Sequence, residues 1–219
     1  MDKLRLRFSK TGRAVYISHL DLMRTMQRGF LRAGYKLKYS EGFNPHAQIS
    51  IALPLSVGTG SLCELMDFRL ESESDLSELP EKLTAVLPEG IEALEAYEAD
   101  KKASGIKWLK VCGKFEYDSR PPENMAAALN EFYARDSIVI TKRTKRGEGE
   151  SDIRPAIKEI SFAPAQGSVD AEMIVSAQEP TLNPELTADA LRQLAPELYP
   201  DFATFTRIET YDDNMSVFR

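Results

Sequence analysis

Hydrophobic residues alternate with charged ones at the start of the chain and then recur at helical spacing. Residues 4–8 read LRLRF, which has the period of a half-buried strand. After Ser18 the apolar positions recur every three or four residues, and this spacing predicts a helix over 18–33. Ser18 with Asp21 three residues later suits its N-terminus, and Gly34 suits its C-terminus.

The same patterns continue through the first hundred residues. Further strands are predicted at 48–53, 62–70 and 91–97, and a second helix at 75–87. A turn-rich segment, 54–61, separates the first two of these strands. The resulting order β-α-β-β-α-β is that of a ferredoxin-like unit.

The second half of the chain repeats this order of elements without repeating the residues. The predicted strands are 106–117, 137–142, 157–162, 172–177 and 202–210, and the predicted helices are 122–134 and 184–194. We therefore predict an α+β fold of two ferredoxin-like domains, 1–100 and 106–219, which meet near 101–105.

Composition narrows the class of protein. With 219 residues, 42% of them hydrophobic, the chain can bury one good core or two small ones. It has no run of eighteen apolar residues and no secretory signal, so we expect a cytoplasmic protein without a membrane segment. Two cysteines, Cys63 and Cys112, exclude a disulfide framework and a four-cysteine zinc site.

Charge is distributed unevenly. The chain carries a net charge of -6, yet residues 1–50 hold ten Lys or Arg against three Asp or Glu. A second basic stretch lies around 142–158. Because salt screens charges over about 8 Å, a local cluster acts on a partner almost independently of distant acids. We therefore expect a phosphate-bearing or acidic partner.

Three arginines form the clearest basic feature. Arg24, Arg28 and Arg32 follow one another at intervals of four, which places them in a single stripe along the predicted helix. No acid lies within one helical turn of Arg28 or Arg32, so the stripe repels itself slightly. It is either a solvated helix face or a surface that contacts phosphates or an acidic partner.

Two other basic segments are open to two interpretations each. The turn that contains Lys10, Gly12 and Arg13 either contacts an anion or simply connects a strand to a helix. It lacks the spacing of a P-loop, so nucleotide hydrolysis is unsupported. The segment 141–155 is either a mobile basic loop that contacts a partner or an exposed hairpin tip. Its basic residues are Lys142, Arg143, Lys145, Arg146 and Arg154.

The only two histidines lie near these cations. His19 falls at the start of the predicted helix, where it acts as a base or phosphate donor, or hydrogen-bonds to Asp21 or Glu41. His46 follows the pair Asn44-Pro45. Together with Asp21 and Glu41 the histidines have the ligand types of a metal centre, but they lack the helical spacing of a metal-binding pair. We predict no metal site.

Several longer strings resemble a known family. They are SHLDLMR at 18–24, SEGFNPH at 40–46, LPLSVG at 53–58, KRTKRG at 142–147 and DIRP at 152–155. With these strings the chain closely resembles a bacterial radical-SAM-linked family of unknown function, in its stand-alone form. The resemblance implies a radical SAM protein as partner and hints at RNA metabolism. No Cys-x3-Cys-x2-Cys motif is present, so we expect no cofactor and no radical chemistry from this chain itself.

These observations support three hypotheses. The first is an RNA-binding accessory protein that presents a structured RNA to the radical SAM partner in tRNA or rRNA modification or processing. Its expected RNA contacts are Lys10, Arg13, Arg24, Arg28, Arg32, Asn44, Lys142, Arg143, Lys145 and Arg154, with His19 and His46 near a base or ribose. The second is a metal-independent endoribonuclease that uses His19 and His46 as base and acid. The third is a protein-protein adaptor for the radical SAM enzyme.

Overall fold

A computed structural model describes residues 3–144 and 147–219. The fold is mixed α+β, and the described residues form ten strands and four α-helices. The chain divides into two compact units: unit 1 comprises the chain up to Gly105 together with Arg219, and unit 2 comprises Ile106–Phe218. In the described part of the chain, no helix has the length and apolar character needed to cross a membrane.

Unit 1 is an antiparallel sheet with two helices. Its elements are β1 (Leu4–Lys10), α1 (His19–Arg32), β2 (Ile49–Ile51), β3 (Gly60–Phe68), α2 (Leu79–Thr84) and β4 (Ile91–Glu98). The strand order is β4-β1-β3-β2, and every neighbouring pair is antiparallel. The predicted order β-α-β-β-α-β of this half is therefore observed.

The core of unit 1 explains why these residues fold this way. Leu6 and Phe8 of β1 lie in one apolar cluster with Met26 and Phe30 of α1, whereas Arg5, next to Leu6, belongs to the opposite face of the sheet. The rings of Phe30 and Phe68 pack with their centroids 4.9 Å apart. The strand alternation and the helical spacing read from the sequence thus describe the two sides of this core.

The boundaries of α1 follow its predicted caps. Ser18 is the N-cap, and its Oγ accepts a hydrogen bond from the Asp21 N–H at 3.2 Å. At the other end Gly34 has a left-handed φ of 88°, and the Tyr35 N–H donates to the Phe30 carbonyl at 2.9 Å. The helix predicted over 18–33 is confirmed to within one residue at each end.

Two elements of unit 1 are shorter than predicted. The helix predicted over 75–87 spans only Leu79–Thr84, because the Asp75 side chain accepts from the Ser77 N–H at 2.9 Å and holds a turn before it. The strand predicted over 48–53 spans only Ile49–Ile51. It ends before Leu53, whose φ of 49° lies outside the extended region.

Unit 2 contains four paired sheet strands and a separate two-stranded hairpin. Its elements are β5 (Trp108–Glu116), α3 (Pro122–Tyr133), β6 (Val139–Thr144), β7 (Gly147–Asp152), β8 (Ile157–Ala165), β9 (Ser168–Ser176), α4 (Glu185–Leu194) and β10 (Phe202–Tyr211). The sheet order within the unit is β10-β5-β9-β8, again antiparallel. The rings of Tyr133 on α3 and Phe162 on β8 stack in its core, with their centroids 5.3 Å apart.

The middle of unit 2 differs from the prediction. The strand predicted at 137–142 belongs to the β6–β7 hairpin rather than to the sheet, and part of the loop predicted at 141–155 is the strand β7. The sheet strand predicted at 172–177 begins earlier, because alternate residues from Val169 to Val175 are buried. The hairpin alternative for the basic segment is therefore the one observed.

Candidate functional site

The two ends of the sheet in unit 1 carry most of the predicted site residues. β1 runs from Leu4 to Lys10, and α1 follows it in the opposite direction, so α1 begins near Lys10. We call the surroundings of Lys10, Ser18 and His19 the helix-start end. β2 pairs Ile49 with Phe68, which in turn pairs with Leu4, so His46 lies beyond the opposite end of β1.

The two histidines are therefore far apart. One belongs to the helix-start end and the other lies beyond Leu4, and the length of β1 separates these positions. At about 3.3 Å per residue, this strand is on the order of 20 Å long. The structure does not bring His19 and His46 together. Among the described residues, no group of three or more His, Cys, Asp or Glu side chains is arranged to hold a metal ion.

Lys10 is buried at the helix-start end. Its side chain is only 2% exposed, and Nζ donates to the Val15 carbonyl at 3.0 Å. Burial lowers the pKa of the Lys10 ammonium, and the negative charge of Glu64 partly opposes this shift. The RNA contact predicted for Lys10 stays a prediction, and it would require the ammonium to leave the Val15 carbonyl inside the unit.

The start of α1 is held by Asp21 rather than by a histidine. The Ser18 hydroxyl donates to Asp21 Oδ2 at 2.7 Å, and Arg24 Nη1 donates to Asp21 Oδ1 at 3.0 Å. These two hydrogen bonds, with Ser18 the larger cause, lower the pKa of the Asp21 carboxyl. His19 is the first residue of the helix and is half-buried. In the described structure, Asp21 bonds to Ser18 and Arg24, and no hydrogen bond joins it to His19.

The outer face of α1 presents the arginine stripe. Arg24, Arg28 and Arg32 are all exposed, on the side of the helix away from the buried Met26 and Phe30. Arg32 Nε donates weakly to the Arg28 carbonyl at 3.4 Å. Arg13 is also exposed, in a short 3-10 helix over Gly12–Tyr16.

The string SEGFNPH at 40–46 forms a closed loop that we call the 40–46 loop. Ser40 and His46 clamp its base: the Ser40 N–H donates to the His46 carbonyl at 2.9 Å, and the His46 N–H donates to Ser40 Oγ at 3.1 Å. Ser40 Oγ also lies 2.9 Å from His46 Nδ1. Phe43 in the middle of the loop is fully exposed, and Asn44 beside it is exposed.

A groove of about 390 Å³ lies at the same end of unit 1, and we call it the β2 groove. Its polar lining consists of Lys3, His46, Gln48, Ser50, Asp67 and Arg69. Asp67 is mostly buried and binds two cations: Lys3 Nζ lies 2.5 Å from Oδ2 and Arg5 Nε donates to Oδ1 at 2.7 Å. Arg5 is fully buried, and its Nη2 also donates to the Lys101 carbonyl at 2.8 Å.

Of the residues that line the β2 groove, only His46 was a candidate site residue from the sequence. Within the strand predicted at 62–70, Asp67 and Arg69 are two residues apart and share the face of the sheet opposite to Phe68. This alternation was a usable signal, since a charged pair on one face of an otherwise apolar strand indicates a polar contact there. Lys3 was part of the basic cluster but was not proposed as a contact.

Arg154 has a structural role in unit 2. Its Nε donates to the Arg135 carbonyl at 3.1 Å and its Nη1 to the Ile157 carbonyl at 2.8 Å. Asp152 accepts from the Ile138 and Arg154 N–H groups, and these bonds lower the pKa of its carboxyl. The guanidinium of Arg154 thus ties together the base of the β6–β7 hairpin, and its phosphate contact stays a prediction.

The remaining basic residues of unit 2 belong to the hairpin itself. Lys142 is half-buried and lies opposite Gly149, and the backbone of Arg143 pairs with Glu148. Lys145 lies outside the described residues. Gln193 of α4 fixes the hairpin by accepting from the Thr141 N–H at 2.8 Å and donating to its carbonyl at 3.1 Å.

A family model described as an uncharacterized protein conserved in bacteria, DUF2344, matches residues 3–184. The chain belongs to the DUF2344 family. No curated protein matches the sequence of this DUF2344 chain. The motif strings at 18–24 and 40–46 fall inside the matched range.

Solved structures resemble this family member in fold alone. One is a chain of a Cbf5-Nop10-Gar1 complex, with 11% sequence identity and a TM-score of 0.50. The match covers 94% of this chain and 48% of that one, so this chain spans about half of its length. An unknown protein from Galdieria sulphuraria has 10% sequence identity to this chain. The match covers 94% of this chain and 98% of that one, with a TM-score of 0.27.

Proposed function

We propose that this chain is an RNA-binding accessory protein that acts with a radical SAM enzyme. The observation that carries the proposal is the outer face of α1, where Arg24, Arg28 and Arg32 are all exposed. Of the three, only Arg24 has a carboxylate partner among the described residues. Uncompensated guanidinium groups on a rigid helix are well suited to bidentate contacts with phosphates.

The 40–46 loop supports the same proposal. A fully exposed phenylalanine in a loop that is clamped at its base is an aromatic surface held ready for a partner. Unpaired bases stack on such side chains with little dependence on sequence. Phe43 would therefore contact a base while the arginines of α1 contact the backbone.

The partner and the domain type also belong to this proposal. The radical SAM partner rests on the resemblance of the strings at 18–24 and 40–46. We further propose that each unit is a ferredoxin-like domain. The sheets β4-β1-β3-β2 and β10-β5-β9-β8 support this, because each strand order follows from the same β-α-β-β-α-β connection once the β6–β7 hairpin is set aside.

The geometry favours a binding protein over a two-histidine nuclease. A base and an acid that act on one 2'-hydroxyl and its leaving group must both lie within hydrogen-bond reach of the reacting atoms. His19 and His46 lie at opposite ends of β1, on the order of 20 Å apart. They cannot serve one reaction centre in this conformation.

Salt dependence tests the RNA-binding function. We expect the affinity for a labelled tRNA to fall log-linearly with salt, and Arg28→Gln to reduce the slope by about one phosphate contact. Arg192→Gln is the matched control, since Arg192 is an exposed helical arginine that is paired with Asp189. Fluorescence anisotropy between low and high salt measures both slopes.

Two results would overturn the proposal. One is an RNA affinity that does not change with salt. The other is an equal reduction of the slope by Arg28→Gln and Arg192→Gln, since a contact specific to α1 predicts a loss only for the first. The adaptor hypothesis would be favoured instead if the chain copurified with the radical SAM protein after nuclease treatment and the purified chain had no affinity for RNA.

A further inference from the structure

We propose that the β2 groove of unit 1 binds a phosphodiester group of the RNA backbone, with Arg69 as its principal contact. This inference rests on the proposed function and assigns it a second site, apart from the arginine stripe of α1.

The fold places the charged side chains of the groove on one face. Asp67 pairs directly with Arg5 across β1 and β3, and Ser50 pairs with Asp67 across β2 and β3. Directly paired residues point to the same side of a sheet, and so do residues two apart on one strand. Arg69 directly follows the end of β3 and lies between Phe68 and Leu70, which are both buried in the core, so its exposed side chain lies on the side of Asp67 and Ser50.

The charges in this groove do not balance. Asp67 is the one carboxylate among the described residues that line it, and Lys3 and Arg5 already bind its two oxygens. Arg69 adds a third cation, which is exposed. Among the residues that line the groove, the single carboxylate of Asp67 stands against the two cations Lys3 and Arg69, and this excess of positive charge at the wall of a concave site attracts an anion.

The other polar groups of the groove suit a phosphate group. Ser50 is exposed on the short strand β2 and carries a hydroxyl donor. His46 is held in place, because its Nδ1 lies 2.9 Å from Ser40 Oγ. Among the described hydrogen bonds none involves His46 Nε2, so this nitrogen is the one left for a ligand. Hydroxyl, imidazole and guanidinium groups are all common donors to phosphate oxygens.

The adjoining loop selects RNA among phosphate-bearing ligands. Phe43 is three residues from His46, so its backbone lies at most about 10 Å from the groove residue. An exposed aromatic ring within this distance of a phosphate site matches the two parts of a nucleotide, a backbone charge and a base that stacks. A phosphopeptide supplies the charge but not the flat base.

The histidines offer a direct test, because the chain contains only two. Proton NMR of the full chain resolves one Hε1 signal for each imidazole, and His19→Gln and His46→Gln assign them. We titrate with a short single-stranded oligouridylate and, separately, with inorganic phosphate. The expected result is a saturable shift of the His46 signal with the oligonucleotide, while His19 at the other end of the sheet shifts less.

Arg69→Gln tests the principal contact. We expect it to weaken oligouridylate binding by about tenfold, the usual effect of losing one charge-assisted hydrogen bond pair. Arg192→Gln is again the matched control and leaves the affinity unchanged. An unshifted His19 signal in Arg69→Gln shows that unit 1 is still folded. Phe43→Ala then weakens oligouridylate binding but leaves the response to inorganic phosphate as it was.

The outcomes separate this inference from the proposed function. If RNA binds but the His46 signal does not move, or if Arg69→Gln binds as the wild type does, the groove is not a phosphate site although the chain binds RNA. If neither tRNA nor oligouridylate binds, both proposals fail. If inorganic phosphate shifts His46 as strongly as the oligonucleotide at equal concentration, and Phe43→Ala has no effect on either, the groove is a general anion site and the assignment to RNA is overturned.

Discussion

The two ends of unit 1 use the same kinds of residue for different purposes. Each end has a histidine, a serine and a basic residue in or beside the sheet. At the helix-start end the serine caps α1, and the ammonium of Lys10 is buried against the Val15 carbonyl. At the groove end the serine holds the histidine of a loop, and the guanidinium of Arg69 is exposed.

The position of each cation in the strand pattern accounts for this difference. Lys10 continues the alternation of Leu6 and Phe8, so its stem enters the core side of the sheet. Arg69 stands between the buried Phe68 and Leu70 and therefore points to the opposite face. Residue type alone predicts a basic surface at both ends of unit 1. The alternation of buried and exposed positions instead gives Lys10 a structural role and leaves Arg69 on a surface that can bind a partner.

The largest expected effect is on stability, and it contrasts the two cations directly. Lys10→Ala should lower the free energy of unfolding by about 3 kcal/mol, because it removes a buried stem and a cation near Glu64. Arg69→Ala should lower it by less than about 0.5 kcal/mol. Urea denaturation monitored by circular dichroism compares both with the wild type. Equal losses of unfolding free energy in the two variants would contradict the difference between a structural Lys10 and a surface Arg69.

Replacing Ser18 should destabilise the chain more than replacing Ser40, by a smaller margin than for the two cations. Ser18→Ala removes the N-cap of α1 and should cost about 1 kcal/mol, which lowers the melting temperature by about 2–4 °C in a chain of this size. Ser40→Ala opens only an exposed loop and should leave melting almost unchanged. A larger loss for Ser40→Ala in thermal melting would contradict the contrast.

The smallest expected effect is a pH dependence at the helix-start end. The pKa of Asp21 is lowered in the folded chain, chiefly by Ser18 and then by Arg24, so its contribution to stability is complete above the unfolded pKa of about 3.9. This contribution disappears as the pH falls through the lower folded pKa. Wild type should therefore melt above Asp21→Asn at pH 7, and the difference between the two melting temperatures should shrink as the pH is lowered below about 3.9. A constant difference would show that the carboxylate charge is not the cause.

Local patterns predicted α1 better than any other element. Its caps, apolar spacing and arginine stripe are all encoded within seventeen consecutive residues, Ser18 to Gly34, so no distant contact was needed to read them. The β6–β7 hairpin was missed as an insertion because its strand residues are polar and glycine-rich, and β7 has no buried alternation. Its anchor, Gln193, lies some fifty residues away in the chain.

The same distinction between local and long-range information applies to the residues of the candidate site. The spacing of residues along the chain was enough to predict that Arg24, Arg28 and Arg32 lie on one face of α1, because helical periodicity is a short-range property. The folded structure was needed to show that Phe43 is exposed, that Lys10 and Arg154 are engaged internally, and that Arg69 lines a groove with Lys3 and Asp67. The groove and the separation of the two histidines follow from the pairing of β1 with β3, which joins residues as distant in the chain as Leu4 and Phe68. Such long-range pairing is set by the packing of the whole unit rather than by any local preference.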